Sequence, residues 1–118
     1  TYGGSITDVI LALDEFTDDT NFEIIVPTVI HPLNIDCVIA SLQQSKRLIA
    51  IEEGSLFGGV TSELVANINE QVPDLYFRLK RIGAIPISIP SVRSLENKVL
   101  PSKDRIIYEI KEFISGCN

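Results

Sequence analysis

The chain has 118 residues, 45% of them apolar, and a formal net charge of −6. That composition suits one compact domain over residues 1–118 and excludes a disordered chain. No apolar run approaches the roughly 20 residues of a membrane span, and the acidic balance argues against nucleic acid as the main partner.

Methionine is absent. Either an initiator has been trimmed or the chain is a piece of a longer polypeptide. Its opening favours the second reading. Thr1-Tyr2-Gly3-Gly4-Ser5 reads as the tail of a strand and its turn, with too few residues before it for a normal strand. No basic stretch followed by an apolar one marks a signal peptide. Ile6, Val9, Ile10, Leu13 and Phe16 then repeat at helical spacing, with Ser5 as the cap. Thr17 to Asn21 form a polar loop. Phe22-Glu23-Ile24-Ile25-Val26 reads as a strand limited by Pro27. Asn34 can cap a helix whose apolar face is Ile35, Val38, Ile39 and Leu42, and Lys46-Arg47 closes it.

Leu48-Ile49-Ala50-Ile51 is the most apolar strand, and strand–helix–strand at this length predicts parallel pairing. Glu52-Glu53-Gly54-Ser55-Leu56-Phe57-Gly58-Gly59 follows as a joint into a helix marked by Val60, Leu64, Val65, Ile68 and Val72. From Leu75 to Ile82 the pattern has period two, a half-buried or edge strand. Gly83 to Ser91 is an extended loop and Ser94-Leu95-Glu96 a helical turn. Pro101-Ser102 opens a last helix with Ile106, Ile107, Ile110, Phe113 and Ile114 on one face, stopped by Gly116. Strands alternating with helices predict an α/β fold with a mostly parallel sheet between helical layers.

Charge is uneven: residues 1–74 carry −10 and residues 75–118 carry +4. Chance variation is the plainer reading. The sharper one is a basic patch of Arg78, Lys80, Arg81, Arg93 and Lys98 for an acidic partner. Cys37 and Cys117 match no metal or redox spacing, and Cys37 reads as a small core residue.

Little here announces catalysis. His31 is the lone histidine, and a turn role before Pro32 is preferred to a catalytic one. Glu52 and Glu53 are adjacent on a strand and point to opposite faces, so they do not form an acid–base pair. One can reach a crevice and the other a helix N-terminus; the plainer reading is that both meet solvent and helix dipoles. The 55–60 glycine loop lacks a phosphate-loop lysine and the dinucleotide fingerprint. One histidine builds no nucleophile triad, and no clustered ligands suggest a metal.

Taken in order, Tyr2-Gly3-Gly4, Ile25-Val26-Pro27-Thr28, Pro32-Leu33-Asn34, 47–53, Gly58-Gly59-Val60-Thr61-Ser62-Glu63-Leu64, Arg81-Ile82-Gly83-Ala84, Ile89-Pro90, Leu95-Glu96 and Leu100-Pro101 resemble the C-terminal domain of the transketolase superfamily. Within it the chain is most similar to the beta subunit of the decarboxylase component of 2-oxo acid dehydrogenase complexes. Asn34 departs from the family's Asp but keeps a capping side chain.

The resemblance implies a three-layer α/β/α domain with a mixed, mostly parallel five-stranded sheet. It implies a full enzyme that decarboxylates pyruvate or a branched-chain 2-oxo acid on thiamine diphosphate with magnesium, and passes the acyl group to lipoyl. The cofactor would be bound by other domains, leaving this one inactive alone and without catalytic, cofactor or metal residues. Partners would be the alpha subunit, a second beta subunit and the acyltransferase core, in the cytoplasm or, in a eukaryote, the mitochondrial matrix. The candidate subunit contact is Glu52, Glu53, Gly58, Gly59 and Glu63, and, after them, the final helix. Two alternatives stand: the same domain of transketolase or deoxyxylulose-phosphate synthase, or a free-standing α/β small-molecule binding domain using the strand edge near Gly3, His31 and Gly54.

Overall fold

The computed structural model of the chain describes residues 1–16 and 20–116. Five helices and two strands follow in the order α1 (Ser5–Leu13), α2 (Asp36–Ser45), β1 (Arg47–Ser55), α3 (Val60–Gln71), β2 (Arg78–Ala84), α4 (Arg93–Val99) and α5 (Lys103–Ser115). β1 and β2 pair in parallel, Arg47 opposite Arg78 and Ile51 opposite Ile82, with an irregularity between Ile51 and Ser55. A parallel pair needs a crossover, and α3 supplies it.

Both faces of this pair are covered. Val9 and Ala12 of α1 and Ile106 and Ile110 of α5 pack with Ile51 and Ile82 in one core. Ile35, Val38 and Leu42 around α2 and Ile68 of α3 make the second, with Leu48 and Phe77 against it. Covered on both sides, strands of this kind read as apolar runs rather than alternations. β2 departs from its period-two reading: its first residues are exposed, and burial is continuous only over Ile82, Gly83 and Ala84.

Several local expectations change. Among the described residues two strands are found, where the resemblance implied five. Residues 22–26 are extended but not laddered into a sheet; the Thr1 nitrogen donates to the Ile25 carbonyl at 3.1 Å. β1 runs four residues past Ile51, so Glu52 to Ser55 belong to the strand and not to a loop. α1 buries Ser5, Val9 and Ala12 and leaves Ile10 exposed. Ser5 is its first residue and not its cap, and its hydroxyl donates to the Tyr2 carbonyl at 2.8 Å. Cys37 is exposed, not a core residue, because α2 turns Val38 and Leu42 inward instead. Cys117 and part of the 17–21 loop lie outside the described residues.

Asn34 falls one position short of the cap of α2, which is Ile35 with no side-chain bond, but its side chain accepts from the Asp36 N–H at 2.9 Å. Other expectations hold in detail. Ser102 accepts from the Arg105 N–H at 3.3 Å, and α5 ends at Gly116.

Candidate functional site

The joint after Ile51 is where the chain gathers its buried polar groups. Glu52 has 0% of its surface exposed. A buried carboxylate needs donors and a counter-charge, and three other stretches provide them. The Tyr2 phenol donates to Oε2 at 3.1 Å. The Thr61 hydroxyl, in the first turn of α3, donates to Oε1. The Arg81 guanidinium, on β2, stands 3.7 Å from Oε1.

Arg81 also donates from Nε to the Thr61 hydroxyl at 3.0 Å, from Nη2 to the Ser62 hydroxyl at 2.7 Å, and to the Leu56 carbonyl. Ser62 in turn donates to the Leu56 carbonyl at 2.9 Å. One guanidinium thus fixes the loop carbonyl and both hydroxyls of the helix start, the fork geometry that lysine cannot reproduce.

The two glutamates do diverge, as strand alternation requires. Each meets a helix N-terminus, where backbone N–H groups favour negative charge. Glu52 lies under Gly59, the cap of α3: a Cβ there would collide with its carboxylate and stand 2.5 Å from the Ser55 carbonyl. Glu53 leans the other way, and a Cβ at Gly4, the cap of α1, would collide with it. The glycines therefore permit close approach to carboxylates. Burial first, then Glu52 beside it, pushes the Tyr2 phenol above its ordinary value of 10.0.

The five expected contact residues separate into two sets. Glu53, Gly58 and Glu63 are exposed, while Glu52 is buried and Gly59 half-buried. Between them Phe57 is 96% exposed at the loop tip, next to Gly58 at φ +67°.

The basic patch does not assemble as drawn. Arg81 faces inward, Lys80 pairs with Glu109 at 2.5 Å, and Arg78 donates to the Phe113 carbonyl and lies over the Phe113 ring at 4.8 Å. His31 is exposed at the cis His31–Pro32 turn.

Tyr2, Thr61, Ser62 and Arg81 were not singled out together by sequence. A usable signal was present: a strand-terminal Glu, two hydroxyls opening the next helix, and an Arg on the following strand. Among the described residues no three His, Cys, Asp or Glu side chains group as metal ligands, and no helix is long and apolar enough to cross a membrane. A groove of about 990 Å³ runs beside β1 and residues 22–27; Gly3, His31 and Gly54 are not among its lining residues.

Helical layers on both faces of a parallel sheet, with a sealed polar joint past the end of its apolar strand, define an α/β domain of three layers. Residues 1–106 match the family described as "Transketolase, C-terminal domain". The chain belongs to that family. It is 32% identical over 97 residues to the pyruvate dehydrogenase E1 component subunit beta of Rickettsia bellii, covering 81% of this chain and 30% of that protein. It is 28% identical over 114 residues to the protein of the same name from Staphylococcus aureus, covering 95% and 35%. The chain thus spans about a third of the length of these relatives.

Proposed function

We propose that the chain is the C-terminal assembly domain of the beta subunit of a thiamine diphosphate-dependent 2-oxo acid dehydrogenase. The full enzyme would oxidatively decarboxylate a 2-oxo acid and transfer the acyl group to a lipoyl arm. The observation that carries this reading is the family match across residues 1–106, joined to relatives named as beta subunits.

The polar joint supports an architectural part. Glu52 has its oxygens taken by Tyr2, Thr61 and Arg81, so it serves as a structural anion and not as a free base. The start of α3 does not fit a diphosphate. The approach that an anion would use over Gly59 is already filled by the Glu52 carboxylate, and a second anion there would be repelled. Thiamine diphosphate and magnesium are therefore assigned to other domains of the enzyme.

Subunit contact is assigned to the rim that Glu53, Phe57, Gly58 and Glu63 present, with Glu52 and Gly59 holding it from beneath. Its partners would be the alpha subunit, a second beta subunit and the acyltransferase core. Titration calorimetry of this chain with thiamine diphosphate and magnesium should give no heat of binding, and pyruvate should not be decarboxylated. Micromolar cofactor binding would overturn the assignment.

A further inference from the structure

Among the described residues Phe57 is the most exposed large apolar side chain, yet the backbone on both sides of it is held by side chains. The Leu56 carbonyl accepts from the Arg81 guanidinium and from the Ser62 hydroxyl at 2.9 Å. The Phe57 N–H donates to the Ser55 hydroxyl at 3.1 Å. The Leu56 side chain fills the space over Gly83, where a Cβ would stand 2.6 Å from it. Beyond the ring the Gly59 carbonyl accepts from the Ser62 N–H at 3.0 Å. An apolar ring in water gains nothing from being held still. It gains when it docks, because its backbone is then ordered in advance.

The surface around the ring continues across the end of the sheet. Ser55 pairs with Ala84, so the loop after β1 and the segment after β2 leave the sheet side by side. Ile85 and Ile87 on that segment are exposed. Glu53 stands on the α1 side and Glu63 on the α3 side; both are exposed, and neither has an ion pair among the described residues. An apolar centre edged by carboxylates is complementary to an apolar socket edged by Lys or Arg. A second copy docked rim to rim would set these carboxylates against their own counterparts. The partner surface therefore belongs to an unlike subunit. Its apolar centre suits a permanent contact, the kind that holds the subunits of one enzyme together.

We propose that Arg81 is a positioning residue for docking: it holds the 56–59 loop so that Phe57 enters, already placed, an apolar cation-edged socket on the alpha subunit. This rests on the reading of the rim as a subunit contact in a longer subunit. Arg81 has a second duty as counter-charge to Glu52. The two duties separate chemically. A lysine can supply the charge, but it cannot hold the Leu56 carbonyl and the Thr61 and Ser62 hydroxyls at once.

A double-mutant cycle tests the assignment, with the longer subunit titrated against the alpha subunit and complex formation followed by light scattering. Phe57→Ser and Arg81→Lys should each weaken the complex by about tenfold or more. Arg81→Lys should also slow association, because the loop must be ordered during docking. Since Arg81 acts through the ring, the double variant should bind no more weakly than Phe57→Ser alone. Additive losses would show that Arg81 only supports the fold, and would overturn the positioning role while leaving the contact in place. Ser62→Ala keeps the Glu52–Arg81 pair and frees one tie on Leu56. It should show the same non-additivity on a smaller loss, and it decides the matter if Arg81→Lys does not fold. Glu63→Gln should flatten the salt dependence of association; an unchanged salt dependence would overturn the cation-edged socket. Binding indifferent to Phe57→Ser would overturn the contact itself. Self-association of the longer subunit that Phe57→Ser abolishes would overturn the unlike partner.

Discussion

Glu52 is a charge with no exposed surface, held by a phenol, a hydroxyl and a guanidinium from three distant stretches. Removing one partner of such a pair leaves the other uncompensated. Glu52→Ala should therefore cost about 3 kcal/mol in a urea melt, the low end of the range for buried pairs, because the Arg81 side chain keeps 25% of its surface exposed. A loss well under 1 kcal/mol would show that water already satisfies Arg81. Tyr2 gives the pH signature. Its phenol ionises above its ordinary 10.0 in the folded state, so its contribution is whole below pH 10 and is lost as pH rises through the raised value. Tyr2→Phe should flatten that alkaline loss. Melts between pH 9 and roughly 11.5 that stay parallel for both proteins would refute the coupling.

Among the elements, the turn from α2 into β1 carries local strain. Lys46 caps α2 at φ +54°, the left-handed region that favours glycine. Its side chain is exposed, so Lys46→Gly removes a steric penalty and no packing. A gain of about 1 kcal/mol is expected, from relief of the left-handed cost partly offset by backbone entropy; an unchanged midpoint would contradict it. Much of this level was legible in sequence. α2, α3 and α5 were readable because their apolar positions keep helical spacing, and Ser102 and Gly116 mark the ends of α5. β1 was readable from Leu48 to Ile51 but not beyond, since Glu52 and Glu53 look like a polar loop until their buried partners are known. Residues 22–26 carry a strand pattern without a laddered strand, because a strand is completed by neighbours and not by its own composition. Cys37 and Ile10 misled because helical spacing allows more than one apolar face. Arg81 misled because its inward turn depends on Thr61 and Ser62, twenty positions away in sequence.

For the molecule as a whole, the surface singles out the rim past β1. A phenylalanine 96% exposed at a glycine turn contributes nothing to this fold's own core. Large exposed aromatics are favoured as anchors of protein contacts. Phe57→Ser should change the domain's stability by less than about 0.5 kcal/mol yet weaken assembly of the longer subunit, read by size exclusion with light scattering. Unchanged assembly would remove Phe57 from the contact.

The Glu52 joint also has a consequence in time. Its Tyr2 contact closes 50 residues of chain, whereas β1, α3 and β2 are consecutive in sequence. Loop-closure entropy delays contacts of long separation. The β1–α3–β2 unit is therefore expected to form first, with Tyr2 arriving on a platform already built. A contact absent from the transition state sets how fast the native state opens and not how fast it forms. The tyrosine near the start of the chain acts as a latch on unfolding.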